Sequence, residues 1–441
     1  MPSLSKRSEH FSVNPSFVLA MGKVFSNVYH PENNPNGIIN LAVAENVLVS
    51  DWLCKTFHQV AVDSPLLPIN LNYTNFCGEN NFRKYLVDNL MNKHIFKRLG
   101  NSEFDKEFAN INNYYLCNGA GNVIEMLAAT ICDAGEYIMV PAPLYLGFEN
   151  DFNKRFFAKV LPVDMEFDSS SNTYKLTVEK VRETYEEHSK TKSIRGFLLC
   201  NPNNPTGDLF GSAIVRQLID FCKEKNIHYI SDELYALSVF DPNTSFESVS
   251  NVMTEDDRNH VHVIYSFSKD LCLNGFRMGV LFTMNTGVKA VFDSCSYFMG
   301  VSSGTQHMMA NFLKNEEYVE NYLNLNKSKL LEQYTMMCDY FKQHDITYVD
   351  AKAGLFVWFN LERQMKKYLT RKHPEIDVSL PLTEQEEYEV WLDAIDIAAV
   401  NVSAGSFFKT KQFGWLRICF TSAHWPTMKI GLDRLFNLLN H

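Results

Sequence analysis

Lys269 is the residue of this chain whose surroundings most plainly favour chemistry. It sits in S-F-S-K-D-L-C-L-N-G-F, residues 266–276, and Arg277 follows at once. The stretch comes after a short apolar run with Val261, Val263, Ile264 and Tyr265, which reads as a buried strand. A lysine set among small and apolar neighbours there is poorly solvated, so its ammonium form is disfavoured and its pKa falls. A neutral amine is the nucleophile that Schiff-base chemistry on a carbonyl requires. The plain alternative is a surface lysine at a strand end, and the segment alone does not separate the two.

Two further polar motifs close apolar runs in the same way. Cys200 ends the run from Ile194 and N-P-N-N-P-T-G, Asn201 to Gly207, follows; Ile230 leads into S-D-E-L-Y, Ser231 to Tyr235. N-P and P-T-G are ordinary turn chemistry, so one such motif carries little. Three in order are hard to attribute to turns, because open parallel sheets gather their ligand-binding residues at the carboxyl ends of strands. A fourth segment, Gly119, Ala120 and Gly121, precedes an apolar helical run of Val123, Ile124, Met126 and Leu127. Its N–H groups then stand at a helix N-terminus, where they can cradle a phosphate. Read alone, such a glycine loop is compatible with many nucleotide sites.

These residues need a scaffold, and the middle of the chain describes one. Tyr137 to Val140, Ile194 to Cys200, Ile227 to Ser231, Val261 to Ser266 and Gly279 to Thr283 read as buried strands. Between them Ile214, Val215, Leu218, Ile219 and Cys222 recur at helical spacing. This alternation predicts an α/β layer fold with a largely parallel sheet. From about Glu316 a long helical stretch through Tyr322, Leu330, Leu331, Met337 and Phe341 leads into a smaller α/β-like region, with strands at Gly354 to Leu361 and Trp415 to Phe420. The expected division is an N-terminal segment 1–45 packing with the small domain, a large domain 46–310 and a small domain 311–441.

Composition narrows the function classes. The 441 residues suit two domains, and 46% hydrophobic with 21% charged residues is ordinary for a soluble globular chain. A formal charge of −10, without a basic run, argues against nucleic-acid binding. No apolar stretch is long enough to span a bilayer, and M-P-S-L-S-K-R-S-E-H lacks the apolar core of a signal peptide. Ten scattered cysteines without a C-x-x-C pair suit reduced thiols, so the expected location is cytoplasmic. Thirteen histidines show no H-E-x-x-H spacing, and no metal site is expected.

Further pieces extend the series: N-G-I-I-N-L-A-V-A-E-N, G-A-G-N, P-A-P-L-Y-L-G-F, G-F-R-M-G, N-V-S-A-G-S-F-F and W-L-R-I-C-F. From about Asn36 to Leu435, the ordered set resembles the fold-type I pyridoxal-phosphate enzymes of the class I and II aminotransferase superfamily. Within it the likeness is to the 1-aminocyclopropane-1-carboxylate (ACC) synthase branch. The resemblance implies a large domain with a mainly parallel central sheet that binds pyridoxal 5'-phosphate, plus a smaller α/β domain. It implies a homodimer with small-molecule amino-acid substrates, its active sites at the subunit interface, and neither nucleic acid nor membrane as partner.

It also assigns roles. Lys269 would hold the cofactor covalently and later move the α-proton. Asp232 would keep the pyridine nitrogen protonated, where the plain alternative is a loop carboxylate. Asn204 and Tyr235 would hydrogen-bond the phenolic oxygen. Tyr145 would face the ring, its alternative being a core tyrosine. Gly119, Ala120, Gly121, Ser266, Ser268 and Arg277 would form the phosphate cup. Arg417 would clamp the substrate α-carboxylate, unless a structural carboxylate neutralises it. Glu45 matches a carboxylate that ACC synthases use near the substrate amine and sulfonium.

Three positions depart from the pattern. Phe76 aligns with a tyrosine that these enzymes contribute from the neighbouring subunit, and a phenyl ring lacks its hydroxyl; Tyr73, three residues earlier, is a candidate substitute. Thr206 stands where plant ACC synthases carry leucine, and Gly121 where the phosphate loop carries a hydroxyl residue. The first expectation is an enzyme that acts on an L-α-amino acid through an external aldimine and quinonoid and passes the amino group to a keto acid. The second is an ACC-synthase-like lyase performing β- or γ-elimination on S-adenosylmethionine or a carbon–sulfur substrate. The third is a non-catalytic relative that keeps the fold for binding.

Overall fold

Seven strands, six of them mostly buried, form the central sheet of this computed structural model, which describes residues 5–11, 15–98 and 100–440. They are β1 Tyr114–Cys117, β2 Tyr137–Ala142, β3 Lys159–Asp164, β4 Ile194–Cys200, β5 His228–Asp232, β6 Val261–Ser266 and β7 Gly279–Thr283. Their order across the sheet is β1-β7-β6-β5-β4-β2-β3. From β6 to β3 every neighbouring pair is parallel, while β7 runs antiparallel to both β6 and β1. Most of the strand residues are buried on both faces, as a sheet covered by helices on each side requires.

The antiparallel β7 is the main difference from a uniformly parallel reading. Its connection from β6, residues 267–278, contains only short helical turns and no crossover helix, so the chain returns in the opposite direction. β1 and β3 went unmarked by periodicity. β3 lies at the sheet edge, alternates in exposure and carries Pro162, all of which weaken an apolar-run signal. The predicted 227–231 strand is displaced by one residue, starting at His228 and ending on Asp232.

The helix Ser212–Glu224 buries Val215, Leu218, Ile219, Phe221 and Cys222 and leaves Ile214 half-buried. The long helix Glu316–Gln343 is capped by the Asn315 side chain and leads to a second sheet. That sheet has strands Thr347–Tyr348, Phe356–Asn360, Trp415–Cys419 and Ser403–Ala404 in this order, all antiparallel. The expected strand from Gly354 starts two residues later because Gly354 has φ +87° and belongs to the preceding turn. Position 310 falls inside the helix Ser303–Lys314, and the chain leaves that helix at Asn315.

Ile39–Asn40 pairs in parallel with Val400–Asn401, and Ala20, Val24, Ile38 and Leu41 share one apolar cluster with Leu330, Phe359, Leu416 and Leu435. Residues 1–4 and 12–14 of the N-terminal segment lie outside the described residues. A second tie joins the N-P-N-N-P-T-G turn to the second sheet. The Gly207 carbonyl accepts N–H groups from Lys352 (3.0 Å) and Ala353 (3.2 Å). Gly207 has φ +74°, and a Cβ there would stand 2.7 Å from the Ala353 carbonyl oxygen, so the turn demands glycine.

Candidate active site

The carboxyl ends of β4, β5 and β6 open on one cavity of about 200 Å³. Its wall includes Ala120, Gly121, Tyr145, Asn204, Asp232, Tyr235, Ser268, Lys269 and Arg277. Nine of the expected residues thus converge from six separate stretches of chain. Gly119, Ser266, Glu45 and Arg417 stand behind or beside this wall and reach it through hydrogen bonds or contacts.

Lys269 lies on the helical turn Phe267–Asp270, which Ser266 caps by accepting the Ser268 N–H at 3.1 Å. Its Nζ donates to the Ala44 carbonyl at 2.7 Å, so the A-E-N loop arches over the amine. Burial lowers the amine pKa from 10.5 to about 8. The neutral fraction then climbs with pH, and capture of pyridoxal phosphate by cofactor-free protein should speed up about tenfold per pH unit below that pKa before levelling. Stopped-flow absorbance between pH 6 and about 9 measures this, and a flat profile would contradict a reactive Lys269.

Asp232 is buried at the end of β5. Its Oδ1 accepts the Leu234 N–H at 3.2 Å and the Cys200 thiol lies beside it. Among the described residues no cation pairs with it, and burial raises its pKa to about 7. Such a carboxyl calls for a positively charged N–H donor from a ligand.

The glycine loop opens the helix Ala120–Ile131. Gly119 has φ +87°, and the Arg277 guanidinium occupies the space that a Cβ would fill. Gly279 of β7 performs the same service from below: its Cβ would stand 2.6 Å from the Ala120 nitrogen. Arg277 Nη1 also donates to the Asn274 carbonyl at 3.0 Å. Main-chain donors and one guanidinium therefore meet at a helix N-terminus, a phosphate-binding arrangement.

Tyr145 stands edge-on to Phe148, with centroids 5.3 Å apart, and Gly147 leaves the space that its ring occupies. Tyr235 is buried edge-on to Phe356 at 5.1 Å. Burial pushes the Tyr145 hydroxyl up to about 12, so it stays protonated.

Arg417, 3% exposed, is the most informative of the residues behind the wall. Nη1 donates to Asn204 Oδ1 at 3.0 Å and Nη2 to the Ala42 carbonyl at 2.6 Å. Phe356 and Phe408 flank it with ring centroids 5.4 and 5.0 Å from Cζ. Among the described residues no carboxylate pairs with it, and its Nε has no hydrogen-bond partner. A buried guanidinium without an anion is electrostatically uncompensated and can accept one. The structural carboxylate that the sequence left open as an alternative is not there.

Glu45 is exposed at the cavity rim, where its Oε1 accepts the Asn274 side-chain amide at 2.8 Å. Asn274, Cys200 and Asp151 also line the cavity and were not picked out as site residues. Asn274 lies inside the Lys269 motif string and Cys200 ends the strand just before Asn201; Asp151 sits on a short helix with no spacing signal at all. Phe76 and Tyr73 are away from the cavity. Phe76 packs edge-on to Tyr297 at 5.3 Å, and Tyr73 is 89% exposed. Thr206 is buried and donates from Oγ1 to Asn203 Oδ1 at 3.0 Å.

Together, a lysine amine with a depressed pKa, a buried carboxyl that lacks a cation and a phosphate cradle form a donor set that fits pyridoxal phosphate. The doubly layered, mainly parallel sheet beneath them is that of the fold-type I enzymes. An archaeal alanine:glyoxylate aminotransferase superimposes with a TM-score of 0.78 at 17% identity, covering 99% of this chain and 97% of its own. At that identity the likeness speaks for the fold alone. The family model of aminotransferase class I and II matches residues 56–435. The chain belongs to this family of pyridoxal-phosphate-dependent enzymes. Among its relatives, the ACC synthase of Glycine max is 31% identical over 94% of this chain and 82% of its own length. A human protein described as a probable inactive ACC synthase-like protein 2 is also 31% identical, over 93% of this chain and 69% of its own. Among the described residues no helix is long and apolar enough to cross a membrane.

Proposed function

We propose that the protein moves the amino group of an L-α-amino acid to a keto acid, with pyridoxal phosphate held on Lys269. The observation that carries this reading is the buried Arg417 guanidinium, lacking an anion and joined through Asn204 to the cavity that Lys269 lines. Arg417 binds the substrate α-carboxylate bidentately and fixes which side of the α-carbon faces Lys269. The bound cofactor supplies the electron sink that makes the α-hydrogen acidic. Lys269 Nζ would take the proton from the α-carbon and deliver it to the carbon that was the cofactor's aldehyde, a task suited to an amine whose pKa is lowered to about 8. Asp232 holds a proton on the ring nitrogen. Gly119, Ala120, Gly121, Ser266, Ser268 and Arg277 hold the phosphate, Asn204 and Tyr235 the phenolic oxygen, and Tyr145 faces the ring.

The Glu45–Asn274 bond favours a second reading, an ACC-synthase-like elimination. It keeps a carboxylate at the rim, where a cationic leaving group such as a sulfonium would be drawn. The relatives named ACC synthase support the same direction. One substrate panel separates the two: keto-acid-dependent amino transfer, turnover of S-adenosylmethionine, and release of pyruvate or ammonia from cysteine conjugates. Amino transfer without elimination supports the first reading; the reverse pattern replaces it with the second.

The protein is further inferred to act as a cytoplasmic homodimer. Leu66, Leu67, Ile69, Leu71 and Tyr73 are exposed in one stretch of the chain, and Tyr297 and Phe298, also exposed, continue from it through Phe76; a second copy would cover them. In that arrangement Phe76 replaces the hydroxyl that a partner subunit's tyrosine supplies. Phe76→Tyr should then tighten cofactor binding by about three- to tenfold, the worth of one added hydrogen bond. Fluorescence titration with pyridoxal phosphate tests this, and an unchanged dissociation constant would remove position 76 from the site.

A further inference from the structure

One carboxyl group in the cavity has no task in this mechanism. Asp151, on the helical turn Phe148–Asn153, lines the cavity, yet among the described residues its oxygens accept no hydrogen bond and pair with no cation. The ionisable groups that face it are Glu125, on the helix Ala120–Ile131 and paired with Arg155, Asp232 at the end of β5, and the Tyr145 hydroxyl, which burial keeps protonated. Lys269 and Arg277 share the cavity without pairing with it. Burial, helped by the like charges of Glu125 and Asp232, raises its pKa to about 7.

A glycine makes room for this group. A Cβ on Gly121 would stand 3.0 Å from Asp151 Oδ1, so a side chain there would press on the carboxyl. Gly121 itself brings only a main-chain N–H to the helix N-terminus. The neighbouring carboxyl therefore stands where a side-chain donor of the loop would otherwise point. Protonated, it can donate as a hydroxyl does; ionised, it can only accept, and it repels a phosphate.

We propose that Asp151, in its protonated form, donates a hydrogen bond to the phosphate of the cofactor beside Gly121. The inference rests on the reading of the cavity as a pyridoxal-phosphate site. It makes cofactor retention a function of pH. As pH rises through the carboxyl's pKa, the donor is lost and a negative charge faces the phosphate.

The test compares pyridoxal phosphate with pyridoxal, which lacks the phosphate, on cofactor-free wild type, Asp151→Asn and Asp151→Ala. The ratio of the two dissociation constants cancels the contribution of the lysine amine. From about pH 6.5 to pH 8.5, the wild-type preference for the phosphorylated form should fall about tenfold relative to Asp151→Asn, whose amide donates at both pH values. Asp151→Ala should have lost a similar factor already at the lower pH and should match or exceed the wild type at the higher. A wild type and Asp151→Asn with the same pH course, or an Asp151→Ala with an undiminished preference at the lower pH, would overturn the proposal. Absence of any cofactor absorbance band from the wild type is a different result and would overturn the reading of the cavity itself.

Discussion

Lys269→Ala should reduce turnover by about 10⁴-fold, the upper end of what one positioned proton-transfer group contributes. The size follows from two duties resting on one amine: it anchors the cofactor and it handles the α-proton. The structure supports both. Burial brings the pKa to about 8, and Nζ is directed by the Ala44 carbonyl into the cavity that Asp232 and Tyr145 line. The purified wild type should be yellow, and borohydride reduction followed by peptide mass spectrometry should find the cofactor on Lys269. A label on another lysine, or a colourless protein that stays so after added cofactor, would refute the assignment.

Arg417 carries the second large effect. Arg417→Lys keeps the charge but loses the planar fork, and Arg417→Ala loses both. Each should lower kcat/KM for α-amino acids by about 10²–10³-fold, in line with truncating one side of a buried, hydrogen-bonded charge pair. The loss should fall mainly on KM for the acid. Turnover of an amine that lacks the carboxylate should hardly change, because that substrate never used the guanidinium. Equal losses for both substrates would point to a folding defect, which circular dichroism would reveal. An unchanged kcat/KM for the acid would remove Arg417 from the substrate site.

Much of this arrangement is legible in the residues themselves. β4, β5 and β6 are near-continuous apolar runs because both faces are covered, and each hands over directly to a polar motif. Asn204, Asp232 and Lys269 could therefore be read in series. What sequence could not supply was anything set by packing between distant stretches. The direction of β7 depends on a connection too irregular to mark a crossover, and β3 hides behind Pro162 at the edge. Asp151 belongs to no spacing pattern; only the approach of its helix to Gly121 brings it to the cavity. The clasp between Glu45 and Asn274 joins residues more than two hundred positions apart. Phe76 departs from the pattern by residue type alone, but its surroundings, Tyr73 and Tyr297 on an exposed face, are set by the fold.

The bond from Arg417 to Asn204 has a consequence for how the protein can be observed. Asn204 Oδ1 is the acceptor that Arg417 Nη1 engages, and a carboxylate arriving at Arg417 competes for the same guanidinium. If Asn204 holds the cofactor's phenolic oxygen as proposed, losing the Arg417 bond would change the electrostatic surroundings of the ring. On the proposed reading of Arg417 as the carboxylate clamp, occupancy of that pocket should change the colour of the holoenzyme. A plain carboxylic acid, with no amino group to react, becomes an optical ligand whose binding curve can be followed without any turnover.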